Sequence, residues 1–300
     1  MVTVGGIISG GFDLLRRRPL AALVWGIIYV AASALGLFAM LVPMMQFAMA
    51  NAGAQAAPDP AMFMQMFGQM YLFFFLLMIV MVILLTAGLR AALRPEESSF
   101  ASLRLGMDEL RMVGLFLLFA IAGFVLMMVM SIVFGIVFGA MGMFGSMTRG
   151  GQPGGGFILM MLLIYALPLF LTVRLAPAFA LTVMRRKIVI GEAWTLTSGH
   201  FWVMFGGYLV LNLMIFIIYM VLAFAVVSPV MMMMVGANPA GAMELMQGHV
   251  GGGIAAAILV FGLIFAILAG VSLAFNAGGL AAATRSLTGD TDEDLAETFA

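Results

Sequence analysis

The chain has 300 residues, 65% of them hydrophobic and 9% charged, with 13 Lys or Arg balanced by 13 Asp or Glu. Soluble domains carry roughly 25% charged residues, so a chain this poor in charge has the bilayer as its main solvent. Zero formal net charge gives no electrostatic footprint for a nucleic-acid partner, and the absence of cysteine excludes disulfides and thiolate metal sites.

Arg16, Arg17 and Arg18 precede a first apolar run too long for a signal peptide and without a small-x-small cleavage site, which reads as an uncleaved span. A spanning helix needs about 20 mainly apolar residues. Residues 20–50, 70–90, 112–144, 157–175, 202–235 and 254–277 meet that requirement, giving an all-α chain with six transmembrane helices. The odd spans are the longer ones. Residues 51–69, 145–156 and 236–253 form nearly uncharged loops on one side. The N-terminus, residues 91–111, residues 176–201 and the tail lie on the other. Of the 13 Lys and Arg, Arg149 alone falls in the first set of loops. The positive-inside rule makes the basic side cytoplasmic, so both termini are expected there in a bacterial inner membrane.

Three segments have the character of short interfacial amphipathic helices, each leading into a long span: IISGGFDLLRRRPLAAL from Ile7, FASLRLGMDELRMVGL from Phe100 and IVIGEAWTLTSGHFWVMFG from Ile188. Phe12, Met107 and Trp194 occupy equivalent places. In the second, helical spacing puts Phe100, Leu103, Met107 and Leu110 on one face and Arg104, Asp108 and Arg111 on another, with Ser99 as N-cap. The even spans also end alike, in AGLRAALRP from Ala87, APAFALTVMRR from Ala176 and AGGLAAATRSLTG from Ala277. The expected layout is a single membrane domain of three parallel-repeat hairpins, approximately 5–95, 98–187 and 188–286, followed by an acidic tail at 287–300. Any positive-inside series of hairpins would also look repetitive.

The stretch VRLAPAFALTV followed by EAWTLTSGHFW carries a resemblance. Arg174, Leu175, Pro177 and Ala178, then Trp194, Leu196, Thr197, Gly199, Phe201 and Trp202, are similar to a pattern in the membrane domain of bacterial glycerophosphoryl diester phosphodiesterases and in YciC-like uncharacterised inner-membrane proteins. Ala193 stands where that pattern has Ser, and Glu192 replaces an often basic residue. The motif covers about 30 residues. It implies a membrane domain and no catalysis, since a phosphodiesterase barrel would take about 250 residues more.

Candidate sites follow from charge and polarity. Arg16, Arg17, Arg18, Arg185, Arg186 and Lys187 form basic clusters suited to lipid headgroups, and equally to anchoring topology. Arg174 is the charge nearest the bilayer, able either to act there or to snorkel. Asn212 and Asn276, with Tyr219 and Ser272, are polar groups inside spans, expected to make interhelical hydrogen bonds or to line a path. No Asp, Glu, Lys or His falls centrally in a predicted span, which disfavours a proton-coupled transporter. Methionine is abundant at 31 residues, and Met62, Met64, Met66 and Met70 with His249 suit Cu(I) as a minor alternative to soft packing. Glu192, Ser198 and His200 are close in sequence, but Ser198 and His200, two apart, do not face each other on a helix. Gly135, Gly139, Ala266, Gly270 and Ala274 are spaced for close helix contact. The readings left are a non-enzymatic, cofactor-free membrane protein touching phospholipid or scaffolding a homo-oligomer or membrane-protein partner, and a channel or facilitator.

Overall fold

The computed structural model describes residues 2–51, 60–96, 100–104, 106–140, 155–236 and 251–289. Arg149, Ser99, His249 and residues 290–300 of the tail lie outside them, as do the side chains of Met62 and of the methionines from Met231 to Met234. The described residues form α1 (Val4–Arg17), α2 (Pro19–Asn51), α3 (Pro60–Leu93), a 3-10 turn (Phe100–Ser102), α4 (Met107–Ala140), α5 (Gly155–Leu175), α6 (Pro177–Arg185), α7 (Gly191–Leu196), α8 (Phe201–Gly236) and α9 (Gly251–Thr288). Six helices are long and apolar enough to cross a membrane, so the chain is an all-helical, multi-pass membrane protein.

The helix ends differ from expectation where local chemistry extends or breaks a helix. α3 begins at Pro60, about three turns before the expected residue 70, because Pro60 is suited to a first turn and the following Met, Phe and Gln are helix-compatible. α9 runs to Thr288, beyond the expected residue 277, through the small residues Ala281, Ala282 and Ala283. The span α5 stops at Leu175 and a separate α6 restarts from Pro177, which takes the first helical position.

The three introducing segments take three different forms. α1 is a 14-residue amphipathic helix capped by Thr3, whose hydroxyl accepts from the Gly6 N–H at 3.0 Å. Its buried face, Ile7, Gly11 and Leu14, packs mainly on α9 and secondarily on α8, so much of the stripe expected to lie on lipid is covered by protein. α7 is a six-residue helix. The segment from Phe100 is not a helix. Ala101 and Ser102 both take left-handed backbone (φ 53° and 54°), and Met107 belongs to the span α4 itself. Tertiary bonds hold that turn: the Trp25 indole N–H donates to the Ala101 carbonyl at 2.8 Å, and Arg90 Nη1 donates to the Ser102 carbonyl at 3.0 Å. α4 starts cleanly at Met107 because Asp108 and Glu109 sit in its first turn, and Glu109 Oε2 accepts from the Gly106 N–H at 2.9 Å.

Trp25 is fully buried, and its ring fills the space between α2 and the α3–α4 connection. Trp25→Phe removes the donor to the Ala101 carbonyl and opens a small gap where the larger indole packed. We expect a loss of about 2 kcal/mol, the lost bond and the cavity together, read by thermal unfolding in detergent.

α9 is the centre of the bundle. It makes its most extensive contacts with α1 and α2 and further ones with α3, α8 and α6. The hairpin α2–α3 packs closely, whereas α4 and α5, and α8 and α9, touch each other much less. The hairpins are thus not equivalent packing units. Buried residues gather toward the end carrying the arginines, hereafter the basic end: Trp25, Leu89, Met112, Met184, Ala277 and Ala281 form one cluster. Ile7, Met204, Leu211 and Phe275 form a second beneath α1, and Leu115, Ala178, Leu181 and Ala193 a third. Away from that end the spans present large apolar side chains outward, among them Phe38, Phe124 and Phe224. Such a mantle is the surface a bilayer requires.

The small-residue spacing divides in two. Gly26 on α2 and Gly270 on α9 sit where a Cβ would collide with the carbonyls of Ala266 and Ala22 respectively, so only glycine lets these two backbones meet. Ala266 and Ala274 belong to the same buried face. Gly135 and Gly139 on α4 have open space in front of them.

Candidate functional site

Arg90 and Arg94 are one turn apart at the end of α3, where the Arg94 N–H continues the helical ladder to the Arg90 carbonyl at 2.8 Å. Asp108 and Glu109 open α4. Folding brings these helix ends together. Arg90 is 2% exposed and Glu109 4%, and Arg90 Nη2 pairs with Glu109 Oε1. Arg94, also 2% exposed, donates through Nη1 to Asp108 Oδ2 at 3.0 Å and through Nη2 to the Val183 carbonyl on α6. The second oxygen of Asp108 accepts from Arg111 Nη1 at 3.0 Å. Arg90 lies 3.9 Å from Asp108 as well, so the two carboxylates and three guanidiniums form one connected network. An ion pair this far from water stands on its geometry and its additional hydrogen bonds, because desolvation offsets much of the Coulomb attraction.

The network borders a pocket of about 320 Å³. Arg90, Arg94, Arg104, Arg111 and Arg186 contribute guanidiniums to its lining, and Asp108 and Glu109 are the carboxylates there. Arg186 arrives from the turn after α6, where it takes left-handed backbone at φ 51°. Arg104 is exposed, on the connection before α4, and makes no ion pair among the described residues. Among the described residues five arginines face two carboxylates there, an arrangement that attracts anions.

Of the residues the sequence proposed as headgroup or intramembrane sites, Arg186 alone lines this pocket. Arg16 and Lys187 are exposed. Arg17 is exposed and pairs with Asp13 at 3.1 Å, a surface contact worth little. Arg18 Nη2 donates to the Pro95 carbonyl at 2.7 Å and so ties the start of α2 to the end of α3. Arg185 meets Glu192 at 3.4 Å. Arg285 on α9 donates to the Ala92 carbonyl.

Arg174 holds α7 in place. Its guanidinium lies 4.2 Å from the Trp194 ring and 5.7 Å from that of Phe170, and Nη2 donates to the Trp194 carbonyl at 2.9 Å. Thr197 Oγ1 donates to the Ala193 carbonyl at 2.8 Å and lies 3.2 Å from the Arg174 carbonyl, so the end of α7 sits against the end of α5. Gly199 supplies the left-handed turn (φ 83°) that leads into α8. Among the described residues the expected interhelical bonds of the two asparagines are not made. Asn212 Nδ2 donates to the Tyr208 carbonyl and Asn276 Nδ2 to the Ser272 carbonyl, each at 2.9 Å and four residues back on its own helix. Tyr219 instead sets its ring edge-on against Phe265, centroids 5.6 Å apart. Met64, Met66 and Met70 all lie within α3, where Met64 is exposed and Met66, two residues on, points elsewhere.

Arg90 and Arg94 entered the sequence reading within the count of basic residues, and Arg104 and Arg111 also as the polar face of the segment from Phe100. Their signal as a site was an i,i+4 arginine pair closing one span, an adjacent acidic pair opening the next, and a short arginine-bearing connection between them. No protein-family model, curated protein or solved structure matches this chain.

Proposed function

We propose that this is a non-enzymatic integral protein of a bacterial inner membrane, with both termini cytoplasmic, that engages the anionic headgroups of the inner leaflet. The observation carrying the reading is the set of cationic side chains on an otherwise apolar bundle, with Arg16, Arg17 and Lys187 exposed and five arginines lining one pocket. Near an anionic leaflet each such charge is worth about 1 kcal/mol. Kinship with the phosphodiesterase membrane domains and YciC-like proteins belongs to the same proposal. It is supported by the interlocking of the motif residues Arg174, Trp194 and Thr197, which gives that stretch a structural role.

A transmembrane pathway has less support among the described residues. Arg174 is stacked on Trp194, Asn212 faces outward from α8, and Asn276 spends its amide N–H on its own helix. Reconstitution tests the lipid reading. Protein released from bilayers of equal phosphatidylglycerol and phosphatidylethanolamine is expected to retain mainly phosphatidylglycerol by native mass spectrometry. Arg16→Ala with Arg17→Ala and Lys187→Ala reduces that enrichment. Retention in proportion to the bilayer composition would sink the reading.

A further inference from the structure

Attraction to a leaflet needs only exposed cations, and Arg16, Arg17 and Lys187 supply them. The arginine pocket is built to a narrower purpose. Its deepest guanidiniums, those of Arg90 and Arg94, are held in direction by Glu109, Asp108 and two backbone carbonyls. Among the described residues the lining holds five arginines and two carboxylates, the arginines coming from the end of α3, the connection to α4, the first turns of α4 and the turn after α6. Guanidinium forks match the oxygens of a phosphate, and several of them around one cavity match a group with several terminal oxygens.

One side of the rim is apolar and exposed. Met107 lines the pocket, is 62% exposed and is the first residue of α4. Leu110, 64% exposed, follows one turn on, and Leu118 and Ile121 continue the exposed stripe at helical spacing. Between them Gly114 leaves a shallow depression, where an added Cβ would meet only the tip of Ile188 at 3.8 Å. A charged pocket thus opens directly onto an apolar track along a membrane-spanning helix.

We propose that the pocket seats the headgroup of one phospholipid bearing a phosphomonoester, with its acyl chains along Met107, Leu110, Leu118 and Ile121 of α4. The inference rests on the lipid reading above and specifies which lipid and where. A phosphomonoester carries about −1.5 to −2 near neutral pH and three terminal oxygens, so it can meet more of these guanidiniums than a singly charged diester. Basic pockets between spanning helices are a recurrent way to hold polyanionic headgroups.

The test is a titration of the whole protein in detergent by native mass spectrometry, with phosphatidic acid, phosphatidylglycerol and phosphatidylethanolamine of matched chains. Phosphatidic acid is expected to bind about tenfold more tightly than phosphatidylglycerol. Arg104→Ala with Arg186→Ala, both at exposed positions, removes that advantage, whereas Arg16→Ala with Arg17→Ala keeps it. In the unaltered protein, a phosphatidic acid carrying a diazirine in its acyl chain labels residues 107–121. Equal affinity for the two anionic lipids, a preference that survives loss of Arg104 and Arg186, or label confined to other spans overturns the proposal. Displacement of phosphatidic acid by millimolar inorganic phosphate assigns the pocket to free phosphate and overturns the lipid as occupant. If phosphatidylglycerol is still preferred over phosphatidylethanolamine, only the pocket assignment fails; if the unaltered protein shows no preference among the three lipids, the lipid reading fails with it.

Discussion

Glu109→Ala is expected to destabilise the protein by about 3–5 kcal/mol, the cost of removing one partner from a buried ion pair. Arg90 is nearly inaccessible, and its pairing with Glu109 lies between the end of α3 and the start of α4. Without that carboxylate the guanidinium keeps its bond to the Ser102 carbonyl and its 3.9 Å approach to Asp108, which Arg94 and Arg111 already share. Glu109 also caps the Gly106 N–H, so α4 loses its first tether at the same time. Thermal unfolding of detergent-solubilised protein reads the effect. The double replacement Arg90→Met with Glu109→Leu separates pair from packing. Exchanging both buried charges for apolar groups of similar size is often close to neutral, so the double variant is expected to recover most of the loss. A single variant as stable as the parent would mean that this pair contributes nothing to holding the helix ends together.

Gly270→Ala is expected to cost about 3 kcal/mol, at the upper end for overpacking, because the added methyl meets main chain rather than a side chain able to rotate away. The position faces the Ala22 carbonyl on α2, and Gly26 makes the reciprocal approach to the Ala266 carbonyl. Since α9 is the element against which α1, α2 and α3 all pack, pushing α2 outward disturbs the centre of the bundle. Gly135→Ala on α4 is the matched control. It adds the same methyl to open space, where better helix propensity is expected to leave stability unchanged or raise it by up to about 1 kcal/mol. Opposite signs for the two substitutions, measured by unfolding in the same detergent, would establish the α2–α9 contact. Equal effects would refute it.

The two glycine pairs show how little of this packing could be read in advance. Gly135 and Gly139 have the same four-residue spacing as the small residues around Gly270, yet only the latter set meets another backbone. Spacing along a helix marks which residues share a face. It carries no information on which face turns toward protein and which toward lipid, because both environments are apolar. The same ambiguity misplaced the asparagines. Asn212 and Asn276 have their own helical carbonyls within reach, and that local bond is made instead of an interhelical one.

By itself the sequence determined the all-helical class, the six spans and the segregation of positive charge toward one set of connections. The class and the spans follow from local apolar length, since backbone polar groups in a bilayer must be satisfied within their own segment, and the charge segregation is read directly from the positions of Lys and Arg. The tertiary structure decided the rest. Arg94 finds the Val183 carbonyl 89 residues away, and Arg285 finds that of Ala92 at a separation of 193. Such contacts are set by how helices pack, and no periodicity within either helix encodes them. The segment from Phe100 carries a helical pattern and still forms a turn, because Trp25 and Arg90 hold its carbonyls in a left-handed geometry that only the assembled bundle provides. The five arginines of the pocket stand apart in the sequence, and only the meeting of α3, α4 and α6 makes one site of them.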